Sequence, residues 1–219
     1  MTLIRTTESS ILPGKRQQWG ELAKEISAVV EKHGVAVRYA QLVYGGSPST
    51  VISTSFAEDW ATLASRSDAI SADPDFLALM SRAGANPASE ILQVGVLEDI
   101  TTQVGGEPLA PGGESIFQTI ALRALPGKQA KLLNFIGQMR EARAGAGLPP
   151  ANVLRVAIGD FNTILVVRAY ADSAAWAADQ EAGQPDSVNA IMEHAQADAD
   201  FPYSETVGSR VMRDITDSL

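Results

Sequence analysis

The side chains in this sequence best suited to hold a carboxylate or steady an enolate are arginines, because a guanidinium keeps its charge and presents a rigid fork of N–H donors. Two of them stand in matching contexts. Arg38 lies in VRYAQLVY (residues 37–44) and Arg155 in NVLRVAI (residues 152–158), each two positions ahead of an alanine, Ala40 or Ala157. On a strand, successive side chains point to opposite faces. That parity groups Arg38, Ala40, Leu42 and Tyr44, and it sets Arg155 and Ala157 against an apolar row of Leu154, Val156 and Ile158 expected under helices. TILVVRAY (163–170) adds Arg168 and Tyr170. The expected ligand-binding set is therefore Arg38, Tyr44, Arg155, Arg168 and Tyr170, with Arg38 and Arg155 as the catalytic candidates that would stabilise developing negative charge. The competing reading is that these arginines pair with internal acids or extend their heads to water. In the same way, Phe56 and Tyr170, at apparently equivalent strand ends, read as packing aromatics.

Other chemistries find less to work with. The chain has no cysteine, which excludes disulfides, thiolate zinc sites and a cysteine nucleophile. Of its two histidines, His33 sits in EKHG at the end of a helical pattern, where a histidine complements the helix dipole. His194, in IMEHAQADAD, has no counterpart in the first half of the chain. Neither HExxH nor a paired-histidine spacing occurs, so no metal site is expected. The serines fall in turns, outside any G-x-S-x-G, and GGEPLAPGG opens no helix as a dinucleotide loop must.

Composition narrows the class further. The 219 residues are 45% hydrophobic and 20% charged, with a formal net charge of −9 spread evenly along the chain. An acidic surface without a basic cluster disfavours nucleic acid and anionic membranes alike. No run of about 18 apolar residues is present to span a bilayer, and MTLIRTTESS lacks the apolar centre of a signal peptide. A cytoplasmic protein is the expectation.

The elements that would position the candidates are written twice. LPGK at 12–15 precedes the helical pattern RQQWGELAKEI, and LPGK at 125–128 precedes QAKLLNFIGQM, 113 residues later. Pro-Gly punctuates a strand-to-helix corner, and a lone Gly-Lys lacks the longer glycine-rich spacing of a phosphate cradle. In the first helix Trp19, Leu22, Ile26, Val29 and Val30 form one stripe. The second copy has Leu132, Phe135, Met139, Ala142 and, as the exception, Arg143. Each half continues with a hairpin, an alanine-rich helix containing Trp60 or Trp176 (both expected to pack helix against sheet), a short helix near Pro74 or Pro185, and a last strand. The resulting β-α-β-β-α-β order is the ferredoxin-like unit, with helices on one face of a four-stranded antiparallel sheet. Its other face is bare and needs a partner, which a second copy supplies. The expected organisation is an α+β chain of two tandem ferredoxin-like repeats, 1–100 and 114–219, joined by a linker at 101–113, with antiparallel sheets packed face to face as a pseudo-dimeric α/β barrel.

The LPGK corner, the hairpin from RYAQLVYGG to TVISTSF and the passage FAEDWATL…ADPDF, each with a second-copy equivalent, resemble the dimeric α/β-barrel superfamily, which includes antibiotic-biosynthesis monooxygenases. The resemblance covers nearly the whole chain. It implies a barrel of two ferredoxin-like units, and it admits activities from cofactor-free oxygenation to heme chemistry, so it carries fold further than function. Heme-binding members place a proximal histidine on a late helix of the unit, which makes His194 the one candidate for heme; otherwise no cofactor is expected.

Three functions follow as expectations. The first is a barrel protein that binds a small organic molecule between its sheets, or acts on it by cofactor-independent oxygenation or proton transfer. The second is a non-catalytic barrel serving self-assembly, and the third is heme binding through His194. A small organic molecule is the expected partner, and pairing into a homodimer is left open.

Overall fold

The computed structural model describes residues 2–109 and 115–219, so the part of the expected linker at 110–113 lies outside the described residues. Among the described residues the chain is α+β, with eight strands and six α-helices. The first half runs β1 (Thr2–Ile11), α1 (Arg16–Glu31), β2 (Val37–Tyr44), β3 (Thr50–Ala57), α2 (Trp60–Ala72), α3 (Pro74–Ala85) and β4 (Ser89–Asp99). The second runs β5 (Ile116–Ala124), α4 (Gln129–Gly145), β6 (Asn152–Ile158), β7 (Thr163–Tyr170), α5 (Ser173–Ala182), α6 (Asp186–Gln196) and β8 (Ser204–Asp214). Two compact units result: unit 1 is Met1–Leu97 with Met212–Leu219, and unit 2 is Glu98–Val211.

In unit 1 the strand order is β4-β1-β3-β2, and Leu3, Arg5, Thr7 and Ser9 of β1 lie opposite Ala57, Ser55, Ser53 and Val51 of β3. The core beneath α1 gathers Ile11, Trp19, Ala23, Tyr39, Val51, Ala88 and Ile215. Trp19 and Tyr39 meet edge to face at 5.7 Å, the geometry an aromatic quadrupole prefers. Tyr39 is fixed at both ends: its hydroxyl donates to Ala23 O at 3.1 Å, and its N–H donates to Thr216 Oγ1 at 2.9 Å. Ile215 N–H donates to Tyr39 O at 2.9 Å, so unit 1 is completed by residues 176 positions further along the chain.

In unit 2 the strand order is β8-β5-β7-β6, with an apolar core of Ile100, Leu132, Ile136, Val153, Ile164, Ala195 and Tyr203. Thr101 opens a 3-10 turn, is fully buried, and accepts Val153 N–H at 2.9 Å. The stretch at 101–104 that the sequence reads as linker is therefore docked in unit 2.

The two LPGK segments are corners. Gly14 and Gly127 have φ of +73° and +74°, a left-handed conformation that glycine adopts without the clash a Cβ brings. Leu12 N–H donates to Ala88 O and Leu125 N–H to Tyr203 O, which ties each corner to the approach of the last strand of its half. The caps also follow the residue chemistry: Asp59 and Asp172 accept from Thr62 N and Ala175 N at 2.7 and 2.8 Å, and Asp73 accepts from Asp75 N and Phe76 N ahead of Pro74. Trp176 packs on Ile116, Tyr170 and Val211 as expected. Trp60 does not, being 43% exposed in the first turn of α2.

Candidate functional site

The expected site residues separate by unit and by face. In unit 1 Arg38 faces away from α1, since its neighbour Tyr39 packs beneath that helix. It is bound to Asp214, Nε and Nη2 reaching Oδ2 at 2.9 and 2.5 Å. Tyr44 ends β2 and is 57% exposed.

In unit 2 the expectation that Leu154, Val156 and Ile158 lie under the helices is reversed. Val153 packs with Leu132 and Ile136 of α4, so alternation puts Arg155 on the helix-covered face, where Nη2 reaches Glu98 Oε2 at 2.5 Å. Nor are Arg38 and Arg155 equivalents. Arg38 lies opposite Thr54, and the residue opposite Val167, which stands 113 positions on from Thr54, is Asn152; Arg155, opposite Ile164, corresponds to Gln41, opposite Val51. The same registers match Tyr170 with Ala57 rather than with Phe56.

Arg168 and Tyr170 do come together, on the face of β7 that also bears Ile164 and Val166. The sequence reading missed what joins them. Asp179 of α5, 7% exposed, accepts from Tyr170 Oη at 2.7 Å and from Arg143 Nη2 of α4 at 2.6 Å, and Arg168 Nη1 stands 3.9 Å away. Arg143 is 2% exposed and also donates to Gln184 Oε1 at 3.0 Å. Burial, then the hydrogen bond to Asp179 and its charge, push the Tyr170 phenol up to about 12. One sign was available in the sequence: Arg143 is the single charge on an otherwise apolar helix stripe. This polar cluster, with Gln118 Oε1 3.3 Å from Tyr170 Oη, lies between α4, α5 and β7 of unit 2.

In unit 1 an open space lies beneath the helices. A cavity of about 320 Å³ lies between the sheet and helices α1 and α3. Its floor is made of Thr7 and Ser9 on β1 and Ser53 and Ser55 on β3; its walls include Leu22, Ile26 and Val30 from α1 and Phe76 and Met80 from α3. The reason is legible in the register. Where unit 1 has the pairs Thr7–Ser53, Ser9–Val51, Arg5–Ser55 and Leu3–Ala57, unit 2 has Ile120–Val166, Leu122–Ile164, Gln118–Arg168 and Ile116–Tyr170. Small hydroxyl side chains beneath the helices leave a volume that larger ones take up.

The roof of the cavity is pinned to itself. Lys32 Nζ donates to Asp75 Oδ2 at 2.7 Å, His33 Nε2 lies 2.8 Å from Asp73 Oδ2, Arg82 pairs with Glu25, and Lys15 Nζ donates to Asn86 Oδ1 at 3.1 Å. Together these clip α1 to the two ends and the body of α3. The titratable side chains lining the cavity are Arg5 and Tyr39, and burial raises the Tyr39 phenol above its ordinary range against an opposing hydrogen bond from Ser27.

The residues around His194 do not fit a heme. It lies exposed in the last turn of α6, and the buried member of that turn, Ala195, belongs to the apolar cluster that includes Leu132, Ile136 and Tyr203. Among the described residues no group of three or more His, Asp or Glu side chains is placed to hold a metal ion, and no helix is long and apolar enough to cross a membrane.

The sequence matches no protein-family model and no curated protein. Solved structures do resemble it. A proposed monooxygenase from Fusobacterium nucleatum superimposes with a TM-score of 0.60 at 7% identity, over 97% of this chain and 91% of that one. An anthrone oxidase-like protein gives 0.56 at 13% identity, over 100% and 94%. A mutant chlorite dismutase from Candidatus Nitrospira defluvii gives 0.60 at 10% identity, over 99% and 92%. At such identities the likeness is one of fold. The chain has the ferredoxin-like α/β fold of these proteins, which is the fold of the dimeric α/β-barrel superfamily that its motifs resemble.

Proposed function

We propose that this chain binds a small, mainly apolar organic molecule in the cavity of unit 1, and that its two units are copies of one ferredoxin-like plan of which the first keeps the ligand space. The observation that carries this reading is the exchange of side chains at matched registers, Thr7 and Ser53 against Ile120 and Val166. A volume of about 320 Å³ falls at the lower end of the range of small-molecule sites, and a mostly apolar wall with a few hydroxyls is the lining such sites use.

Binding is a better account than proton transfer, because a general base must stand within hydrogen-bond reach of the proton it takes and the lining contains no Asp, Glu or His. Arg38 and Arg155, the catalytic candidates of the sequence reading, are each engaged by a carboxylate, Asp214 and Glu98, and so act as structural ion pairs in this proposal. Arg168 and Tyr170 take the same kind of role in the cluster around Asp179.

The test uses the neutral fluorophore N-phenyl-1-naphthylamine with the whole protein. The wild type should bind it with enhanced, blue-shifted emission. Ser53→Val, which writes the unit 2 residue into the unit 1 floor, should weaken binding at least tenfold. Equal binding by both proteins would remove the cavity as the site.

A further inference from the structure

The chain has twelve arginines, and eleven of them have a partner. Arg16 donates to Gln41, Arg66 and Arg82 pair with Glu58 and Glu25, and Arg123 pairs with Asp160 and Glu205. Arg140 donates to Ala151 O, and Arg38, Arg143, Arg155 and Arg168 hold the contacts described above. Arg210 and Arg213 also have partners. Arg5 has none among the described residues.

Its position makes that difference meaningful. Arg5 sits within β1 on the helix-facing side of the sheet, between Leu3 and Thr7 and opposite Ser55, and it lines the cavity while remaining exposed. That is the side of a strand on which this fold otherwise places core residues: Leu3, two positions earlier, is wholly buried. The matched position in unit 2 is Gln118, which contacts the Tyr170 hydroxyl as part of the polar cluster. Thus unit 1 has, at the rim of its cavity, a guanidinium whose five N–H donors have no partner among the described residues. On a chain of net charge −9, that group is a local attraction for a negative ligand that the surface as a whole repels.

We infer that the ligand of the unit 1 cavity is an organic anion, a carboxylate or a comparable acidic group on an apolar body, with the charge held by Arg5 at the rim and the body lying over Thr7, Ser53 and Ser55. The inference rests on the cavity reading above and narrows it to a ligand class. A charge-assisted hydrogen bond from Arg5 supplies the selectivity, and the apolar walls accept the remainder of the molecule.

A matched pair of probes separates the two claims. 1-Anilinonaphthalene-8-sulfonate carries the same ring framework as N-phenyl-1-naphthylamine with a sulfonate added. Arg5→Gln, a change at an exposed position to the type of residue found at Gln118, should weaken sulfonate binding about tenfold or more and leave the neutral probe within twofold. Ser53→Val should weaken both. If Arg5→Gln changes the two probes equally while Ser53→Val still weakens both, the anion assignment fails and the cavity stands. If neither probe responds to Ser53→Val, the cavity reading fails and the inference fails with it.

Discussion

Arg143 Nη2 and Asp179 Oδ1 lie 2.6 Å apart with their side chains only 2% and 3% exposed, which makes this ion pair part of the interior of unit 2. A buried pair of this kind is costly to break from one side, because the remaining charge is stranded away from water. Arg143→Met should therefore destabilise the protein by about 3–5 kcal/mol in denaturant unfolding, whereas Arg143→Met combined with Asp179→Leu should recover at least half of that loss. A single variant that unfolds no more easily than the wild type would show that the pair is solvated.

Tyr170 donates to the other oxygen of the same carboxylate, and its phenol is raised to about 12. A group whose folded-state pKa is raised contributes stability that is complete below its unfolded value and is lost as pH rises through the folded one. Between about pH 10 and about 12 the wild type should lose stability that Tyr170→Phe does not lose. Urea midpoints at pH 8 and pH 11.5 check this: the gap between the two proteins should narrow at the higher pH.

Asp73 carries the opposite sign. The hydrogen bond with His33 holds its carboxyl below the usual carboxylate range, with help from the N–H groups of Phe76 and Asp75 and against partial burial. Its contribution is present above about pH 4 and disappears as pH falls through the lowered value. Asp73→Asn should thus be less stable than the wild type at pH 7, and the gap should narrow as pH falls below about 4. The variant also tests the clip between α1 and α3, so a weaker hold on N-phenyl-1-naphthylamine at pH 7 is expected with it.

Ser53→Val should raise stability by about 0.5–2 kcal/mol while it weakens probe binding, because filling a void under a helix and closing a ligand space are the same event. Loss of binding with a loss of stability would point to distortion instead.

Hemin added to the wild type and to His194→Ala should give superimposable absorption spectra, since His194 stands in solvent at the end of α6. A Soret change present only in the wild type would restore the histidine as a ligand.

Much of the fold was legible in the sequence because it depends on local chemistry. The glycines of the two LPGK corners, Pro74 and Pro185 at the start of the short helices, and the alternation of VRYAQLVY each announce an element within a few residues. Register is less local. The letters around Arg38 and Arg155 agree, whereas pairing across the sheet matches Arg38 with Asn152; a strand slips by residues without changing its composition. The face of Arg155 was lost by the same slip. The cavity was illegible for a different reason: Thr7, Ser9, Ser53 and Ser55 become a floor only when β1 and β3 are laid side by side, and an unfilled space leaves no residue of its own in the sequence. Arg143 was legible as an oddity and Asp179 was not, because a polar residue on a short helix is normally a solvated one.

The hold that Ile215 and Thr216 take on Tyr39 bears on how the molecule is made. A ribosome translating this message releases β1 through β4 long before Met212–Leu219 exist, so the opening segment of the nascent polypeptide waits, with the amide of Tyr39 unclaimed, through more than a hundred further codons. The half with the hollow is thus the later of the two to be finished, since it closes only when Met212–Leu219 have been added.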